Sequence, residues 1–310
     1  MLPWVLRGST QAKAYAALAA VCFFWGTTYL GIRIALESIP PLAVIAARFT
    51  LSGSLLLLAA RVSGAALPRG RELRLTAWNG ILVLGIGNGA LTFAEQIIPS
   101  GLAALIITAS PFWMVSIEAL RGGERLHGPT AGGMLVGFGG AALLVGPDAF
   151  RTGLHSSLLH GFLILQAGCA AWCWGAISQR RLETRAHPFV SGGVQQLAAG
   201  LAFLVPALLL PPHPGPPSLK SAAALLYLVM FGSIVGYSAF IYSMEHLPVA
   251  IVTLYNYVNP VVAVLLGWLF YREPFGLRET AAMLVIFAGV ALVKWATAGA
   301  GKRRRAAGAL

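Results

Sequence analysis

The stretch Ile98-Pro99-Ser100-Gly101-Leu102-Ala103-Ala104-Leu105-Ile106-Ile107-Thr108-Ala109-Ser110-Pro111 returns, with the same punctuation, as Leu247-Pro248-Val249-Ala250-Ile251-Val252-Thr253-Leu254-Tyr255-Asn256-Tyr257-Val258-Asn259-Pro260. Glu124 follows the first stretch as Glu273 follows the second. All three anchors therefore recur 149 residues later (248 − 99, 260 − 111 and 273 − 124). Trp25-Gly26 maps onto Trp174-Gly175 at the same spacing, Gly87 onto Gly236 and Gly140 onto Gly289, with no gap. The chain is a tandem duplication. A repeat of about 150 residues far exceeds a solenoid unit, so each copy is a half-domain with several segments of its own.

Composition says what those segments are. Hydrophobic residues make up 57% of 310 and charged residues only 10%, with a mean hydropathy of +0.76. A soluble domain carries roughly a quarter charged residues, so this is an integral membrane protein. Apolar runs of about 20 residues, enough to cross hydrocarbon as helix, number five per copy. The first copy has Ala14 to Ala35, Leu42 to Ala60, Leu75 to Ala94, Gly101 to Leu120 and Pro129 to Val145. The second has Ser157 to Ser178, Phe189 to Leu210, Ala222 to Met244, Ala250 to Phe270 and Leu277 to Trp295. The expected fold is all-α, ten transmembrane helices as two inverted five-helix repeats. The first repeat occupies residues 1–150, the second 151–300, and a basic tail 301–310. A signal peptide is the competing reading of the first run, but the run is too long and no small-residue cleavage site follows it.

Lys and Arg set the orientation. With the N-terminus cytoplasmic, sixteen of the 22 lie inside and five outside, with Arg48 inside a helix. Both termini are expected in the cytoplasm of a bacterial inner membrane. An odd number of spans per copy sends the second copy through the membrane in the opposite sense. The net charge of +12 is then topology signal plus a tail, Lys302 to Arg305, lying against anionic lipid. Nucleic acid is not an expected partner, because no aromatic residue interleaves with that basic tail.

Inverted repeats with interrupted helices are the architecture of secondary transporters, since two halves of one fold can exchange conformations and open a cavity to alternate sides. Pro111 and Pro260 fall near the middle of helices four and nine, where a missing N–H favours a kink; they are the hinge candidates.

The five-helix unit with Phe24-Trp25-Gly26-Thr27-Thr28-Tyr29, Arg48-Phe49, Ser110-Pro111, Glu124-Arg125, Gly133 and Gly140 resembles the EamA unit of the drug/metabolite transporter superfamily. The run from Ala94 to Ala104 is similar to the branch containing the YedA-type permeases. In the second copy Glu273 is followed by Pro274, and no arginine matches Arg48. The resemblance implies a ten-helix exporter of small metabolites, often amino acids or their analogues, with the cavity between the halves and helices five and ten peripheral.

Cavity residues can be argued independently. A charge deep in the bilayer costs several kcal/mol, and Arg48 lies six residues inside helix two, deeper than Arg33, Glu118, Arg278, Glu279 or Lys294. Its fork suits a substrate carboxylate or phosphate; alternatively it ties carbonyls at a kink or pairs with Glu95 or Glu118. Gly85, Asn88, Thr92 and Glu95 share one face of helix three, and Trp25 aligns with Tyr29 on helix one. Thr253, Asn256 and Pro260, with Asn259 beside them, mark helix nine. Gln166 and Trp174 mark helix six, and Gln195 and Gln196 mark helix seven. Trp25, Tyr29, Trp113, Trp174, Tyr237 and Tyr255 form the expected aromatic wall, suited to an amphipathic substrate, while Trp4, Trp78, Tyr271 and Trp295 read as interfacial belt. Glu95 is the nearest fit to a coupling carboxylate. Gly85-x3-Gly89 and Gly133-x3-Gly137 permit close helix approach, and dimerisation through helix five stays open beside a monomer.

An enzyme is not expected. Asp148 is the sole aspartate, the six histidines show no metal-ligand spacing, and Cys169-x3-Cys173 fits neither a zinc nor a redox motif. No metal or cofactor is expected, and the absence of a Walker A loop excludes direct ATP hydrolysis. A membrane-embedded enzyme or lipid scramblase is the alternative reading.

Overall fold

The computed structural model describes residues 10–121, 128–152, 155–181, 186–209, 215–247, 249–252 and 254–307, all of them helix or connection. The first repeat holds α1 (Thr10–Ala35), α2 (Pro41–Val62), α3 (Gly70–Ala94), α4 (Ser100–Leu120) and α5 (Gly128–Thr152). The second holds α6 (Ser157–Arg181), α7 (Pro188–Leu209), α8 (219–246), α9 (249–271, interrupted) and α10 (Leu277–Ala307). Among the described residues nine helices are long and apolar enough to cross a membrane, and α9 is the tenth. Glu124, Pro248, Thr253 and Trp4 lie outside the described residues.

The halves are interleaved rather than side by side. α1 packs against α8 and α9 of the other repeat, and α6 packs against α3 and α4. Two pairs of equivalent helices, α2 with α7 and α5 with α10, close the assembly. Glycine makes these contacts feasible by letting backbones touch. A Cβ on Gly53 would lie 2.3 Å from the Leu197 nitrogen, and one on Gly200 2.3 Å from the Thr50 nitrogen. In the other pair a Cβ on Gly289 would meet the Gly137 nitrogen at 2.4 Å, and one on Gly133 the Val293 nitrogen at 2.8 Å. Gly133 and Gly140 of α5 are therefore covered by α10 within the chain.

Three helices depart from the continuous spans the sequence predicts. In α4 the helix ends at Ile107 and restarts at Ser110, so Pro111 begins a second half-helix rather than kinking a continuous one. Pro111 has no N–H for the Ile107 carbonyl, and the Ser110 hydroxyl bonds that carbonyl instead. In α9 the break comes about a turn earlier in the repeat, between Val252 and Tyr255, and Pro260 lies inside the second piece. Finally, α10 continues to Ala307, so the basic tail extends the helix and Lys294 is not at a helix end; its ammonium lies 4.6 Å from the Tyr257 ring centre.

The third helix of each repeat carries an eight-residue π-helical segment at mid-span: Ile81–Asn88 in α3 and Leu228–Val235 in α8. At the 149-residue offset the two overlap to within two residues. Wide turns of this kind are rare and concentrate at functional sites.

Candidate transport site

Arg48 is the hub between the halves. It is 5% exposed, its Nε donates to Ser233 Oγ at 2.9 Å and its NH1 donates to Asn88 Oδ1 at 3.2 Å. Asn88 closes the π segment of α3 and Ser233 lies in that of α8, so one guanidinium joins the irregular segments of both repeats. Gly232 makes room for it: a Cβ there would lie 3.1 Å from Arg48 NH2. Gln196 donates to the Ser233 carbonyl at 3.2 Å, bringing in α7. The bonds Arg48 makes are to these amide and hydroxyl groups, rather than the pairing with Glu95 or Glu118 read from sequence. Ser233 had no signal in the sequence beyond being a polar residue in an apolar run.

Beside this hub, Trp25 Nε1 donates to the Gly232 carbonyl at 3.1 Å, and its ring meets Phe240 and Tyr255, each 5.1 Å away between centres. Tyr29, one turn on, is buried within electrostatic range of Glu95, Cys169 and Tyr255. On the α4 side of the molecule, Trp113 Nε1 donates to Gln166 Oε1 at 2.7 Å, and the Ser110 hydroxyl at the helix break lies 3.4 Å from Cys169 Sγ. The Gln166 amide nitrogen is buried with no partner among the described residues.

Not every expected residue lies here. Trp174 is 46% exposed and stacks under the Arg121 guanidinium at 4.7 Å, so it is not part of an inner wall. Gln195 donates to Gln179 near the α2–α3 end of the bundle (3.1 Å). Thr92 donates to the carbonyl of Asn88 in its own helix at 3.2 Å. The Asn259 amide, oriented with its nitrogen toward two carbonyls, donates to Tyr255 (3.1 Å) and to Cys22 (3.0 Å), and so fastens α9 to α1. Tyr237 packs where a Cβ on Gly192 would fall, and Asn256 is half-buried at the start of the second α9 piece. Trp78 and Trp295 are exposed on the bundle surface, in keeping with a belt position.

Both ends of the bundle are latched between the halves. At the end holding the α1–α2 connection, Lys220 Nζ donates to Glu37 at 2.7 Å and the Tyr271 hydroxyl bonds the same carboxylate. Ser218 N donates to Ser38 Oγ at 2.9 Å, and Ser221 Oγ donates to the Ile34 carbonyl at 2.9 Å. There Glu273 also caps α4 from across the repeat boundary. It accepts from Ser100 N (2.8 Å), Ser100 Oγ (2.9 Å) and Gly101 N (2.9 Å). A carboxylate on the positive end of a helix is a favourable cap. At the opposite end Asn79 donates to Gln179 at 2.8 Å, and Ala186 N donates to Glu72 at 3.0 Å.

The proline at the α4 break and the one inside the second piece of α9 yield a direct prediction. Pro111→Ala/Pro260→Ala restores two N–H groups, one facing the Ile107 carbonyl that Ser110 now holds. Straightened helices are expected to slow exchange across the membrane by about fivefold, the kinetic equivalent of one ~1 kcal/mol hydrogen bond. Wild-type exchange rates in a folded double variant would reduce both prolines to packing.

Comparisons with known proteins agree with this architecture. The EamA-like transporter family profile matches residues 12–146 and again 159–295. The Escherichia coli (strain K12) protein named "Uncharacterized inner membrane transporter YedA" is 34% identical over 281 residues, 90% of each chain. A protein of Streptantibioticus cattleyicolor named "Probable terminal-alkyne amino-acid exporter" is 26% identical over 298 residues, 96% of this chain and 97% of that one. One solved crystal structure superposes with a TM-score of 0.65 at 22% identity, covering 91% of this chain and 97% of its own, a likeness of fold. Family and relatives point to a transporter rather than an enzyme. Two matched units, ten helices and broken fourth and ninth helices converge on one assignment: the chain is a multi-pass membrane protein of the EamA-like transporter family.

Proposed function

We propose that the protein is a secondary transporter or facilitator that exports small metabolites from a bacterial cell across the inner membrane. Its substrates are amino acids, their analogues or amphipathic drug-like compounds, and it works by alternating access between its two inverted halves. Both termini face the cytoplasm, the single chain is the working unit, and lipid and substrate are its partners. The observation that carries this reading is the pair of latches. Each end of the bundle is closed by hydrogen bonds that join one repeat to the other, and between them lie Arg48, Asn88, Trp25, Tyr29, Trp113 and Gln166. Releasing one latch while keeping the other opens the centre to one side.

The substrate class draws support from the relative named as an amino-acid exporter and from the mixture of aromatic rings, amides and one guanidinium around the centre. The test is counterflow in proteoliposomes loaded with unlabelled L-amino acids, with labelled L-phenylalanine or L-threonine outside. Accumulation that requires the internal amino acid supports exchange. No accumulation across the panel would overturn the amino-acid class.

The Glu37 latch adds a pH dependence. Partial burial works against ionisation of Glu37, yet its bonds to Lys220 and Tyr271 outweigh this and hold it below the ordinary carboxylate value. The closing effect is therefore present at neutral pH and lost as pH falls through that lowered value. Glu37→Gln is expected to speed opening at neutral pH and to remove this dependence.

A further inference from the structure

One buried group toward the α1–α2 end has no role in either latch or in the Arg48 hub. Glu95, at the end of α3, is 0% exposed, and neither of its carboxylate oxygens has a hydrogen-bond partner among the described residues. Arg33 of α1 bonds its backbone carbonyl. The charged groups facing the side chain are Arg33, Arg48 of α2 and Glu273 of the α9–α10 connection, with the Tyr29 hydroxyl of α1 nearby; α6 brings Cys169 to that same tyrosine.

Each of the described hydrogen bonds of these charged neighbours goes elsewhere. Arg48 spends Nε on Ser233 and NH1 on Asn88, and Glu273 takes three donors at the start of α4. An ionised carboxylate without a donor in such a site carries a desolvation cost that no hydrogen bond recovers. It must be neutralised, and a proton does so without any space or ligand set. Glu95 stands seven residues beyond Asn88 on the same helix, so a movement of α3 that frees Glu95 also pulls on the Arg48 hub. The equivalent position in the second repeat is Met244, which has no proton to exchange.

Resting on the transport reading above, we propose that Glu95 is the proton-binding site that couples transport, protonated while the chain is closed without substrate and ionised when an end opens. The step is a single transfer: as substrate leaves at the opened α1–α2 end the carboxylate takes one proton from water there, that end closes on the carboxylic acid, and the proton passes to water when the opposite end opens and substrate takes its place. Stoichiometry is one proton per cycle. The ionised form offers a negative partner to the ammonium of an amino acid, so proton and substrate compete for it.

The test uses two readouts that need no substrate. In pH-difference infrared spectra of the reconstituted full chain, the wild type is expected to show the C=O stretch of an unbonded carboxylic acid, missing in Glu95→Gln. Indistinguishable spectra would overturn protonation. For opening, Thr92→Cys is labelled with a membrane-impermeant maleimide in intact cells and in inside-out vesicles, after Cys22, Cys169 and Cys173 are replaced by alanine. Labelling from the α1–α2 end is expected to rise about tenfold per pH unit, the slope of one titrating group, and to lose that slope when Glu95→Gln is added. The same slope with and without Glu95→Gln, or no slope in either, would overturn the coupling. Failed counterflow with both readouts positive would instead count against the amino-acid class and leave the proton site standing.

Discussion

Arg48→Lys is expected to lower the melting temperature and abolish exchange together. Lysine keeps the charge but cannot place one donor on Ser233 Oγ and another on Asn88 Oδ1, which lie in π segments of different repeats. Each hydrogen bond from a charged donor is worth about 1.5–3 kcal/mol, and a buried acceptor left unpaired adds to the cost. The planar group also lies 4.9 Å from the Phe49 ring centre, a contact that a lysine stem does not reproduce. Thermal melts and counterflow on one preparation decide the role. An unchanged melting temperature with weakened substrate binding would make Arg48 a substrate ligand and not a clamp.

Gly53→Leu is expected to be the most damaging single change outside the hub. The missing Cβ of Gly53 points at the Leu197 backbone, with 2.3 Å to its nitrogen and 2.7 Å to its Cα. Backbone cannot swing aside as a side-chain tip can, so α2 and α7 must separate along their length. Overpacking typically costs 1–3 kcal/mol, and here about 3 kcal/mol or more is expected because the obstacle is main chain. The measurement is the yield of monodisperse protein and its melting temperature. Gly139→Ala is the control: nothing lies within 4 Å of that position, and alanine there favours the helix by about 0.5–1 kcal/mol. Equal behaviour of the two variants would mean that α2 and α7 do not depend on this close contact.

Much of the fold was legible because duplication and hydropathy are one-dimensional signals. Pro99, Pro111 and Glu124 recurring at one spacing, and five apolar runs in each copy, determine two units of opposite sense without any contact between residues. The depth of Arg48 in its helix and the polar face that holds Asn88 were also readable, and the structure buries Arg48 and bonds it to Asn88.

Pairing across the repeats was decided only by tertiary structure. Arg48 and Ser233 are 185 residues apart, and Ser100 and Glu273 are 173 apart. Nothing in local periodicity encodes which helix will face which at that range. Nor does periodicity show a π segment, because the wider turn shifts register without changing composition. Trp25 and Trp174 make the point most plainly. They occupy equivalent positions in the duplicated sequence, yet Trp25 reaches a carbonyl of α8 while Trp174 stacks under Arg121 at the surface. The repeat determines where a residue sits on its helix; the neighbours it meets follow from how two halves with diverged side chains close on one another, and only that packing decides which of the twins faces the centre.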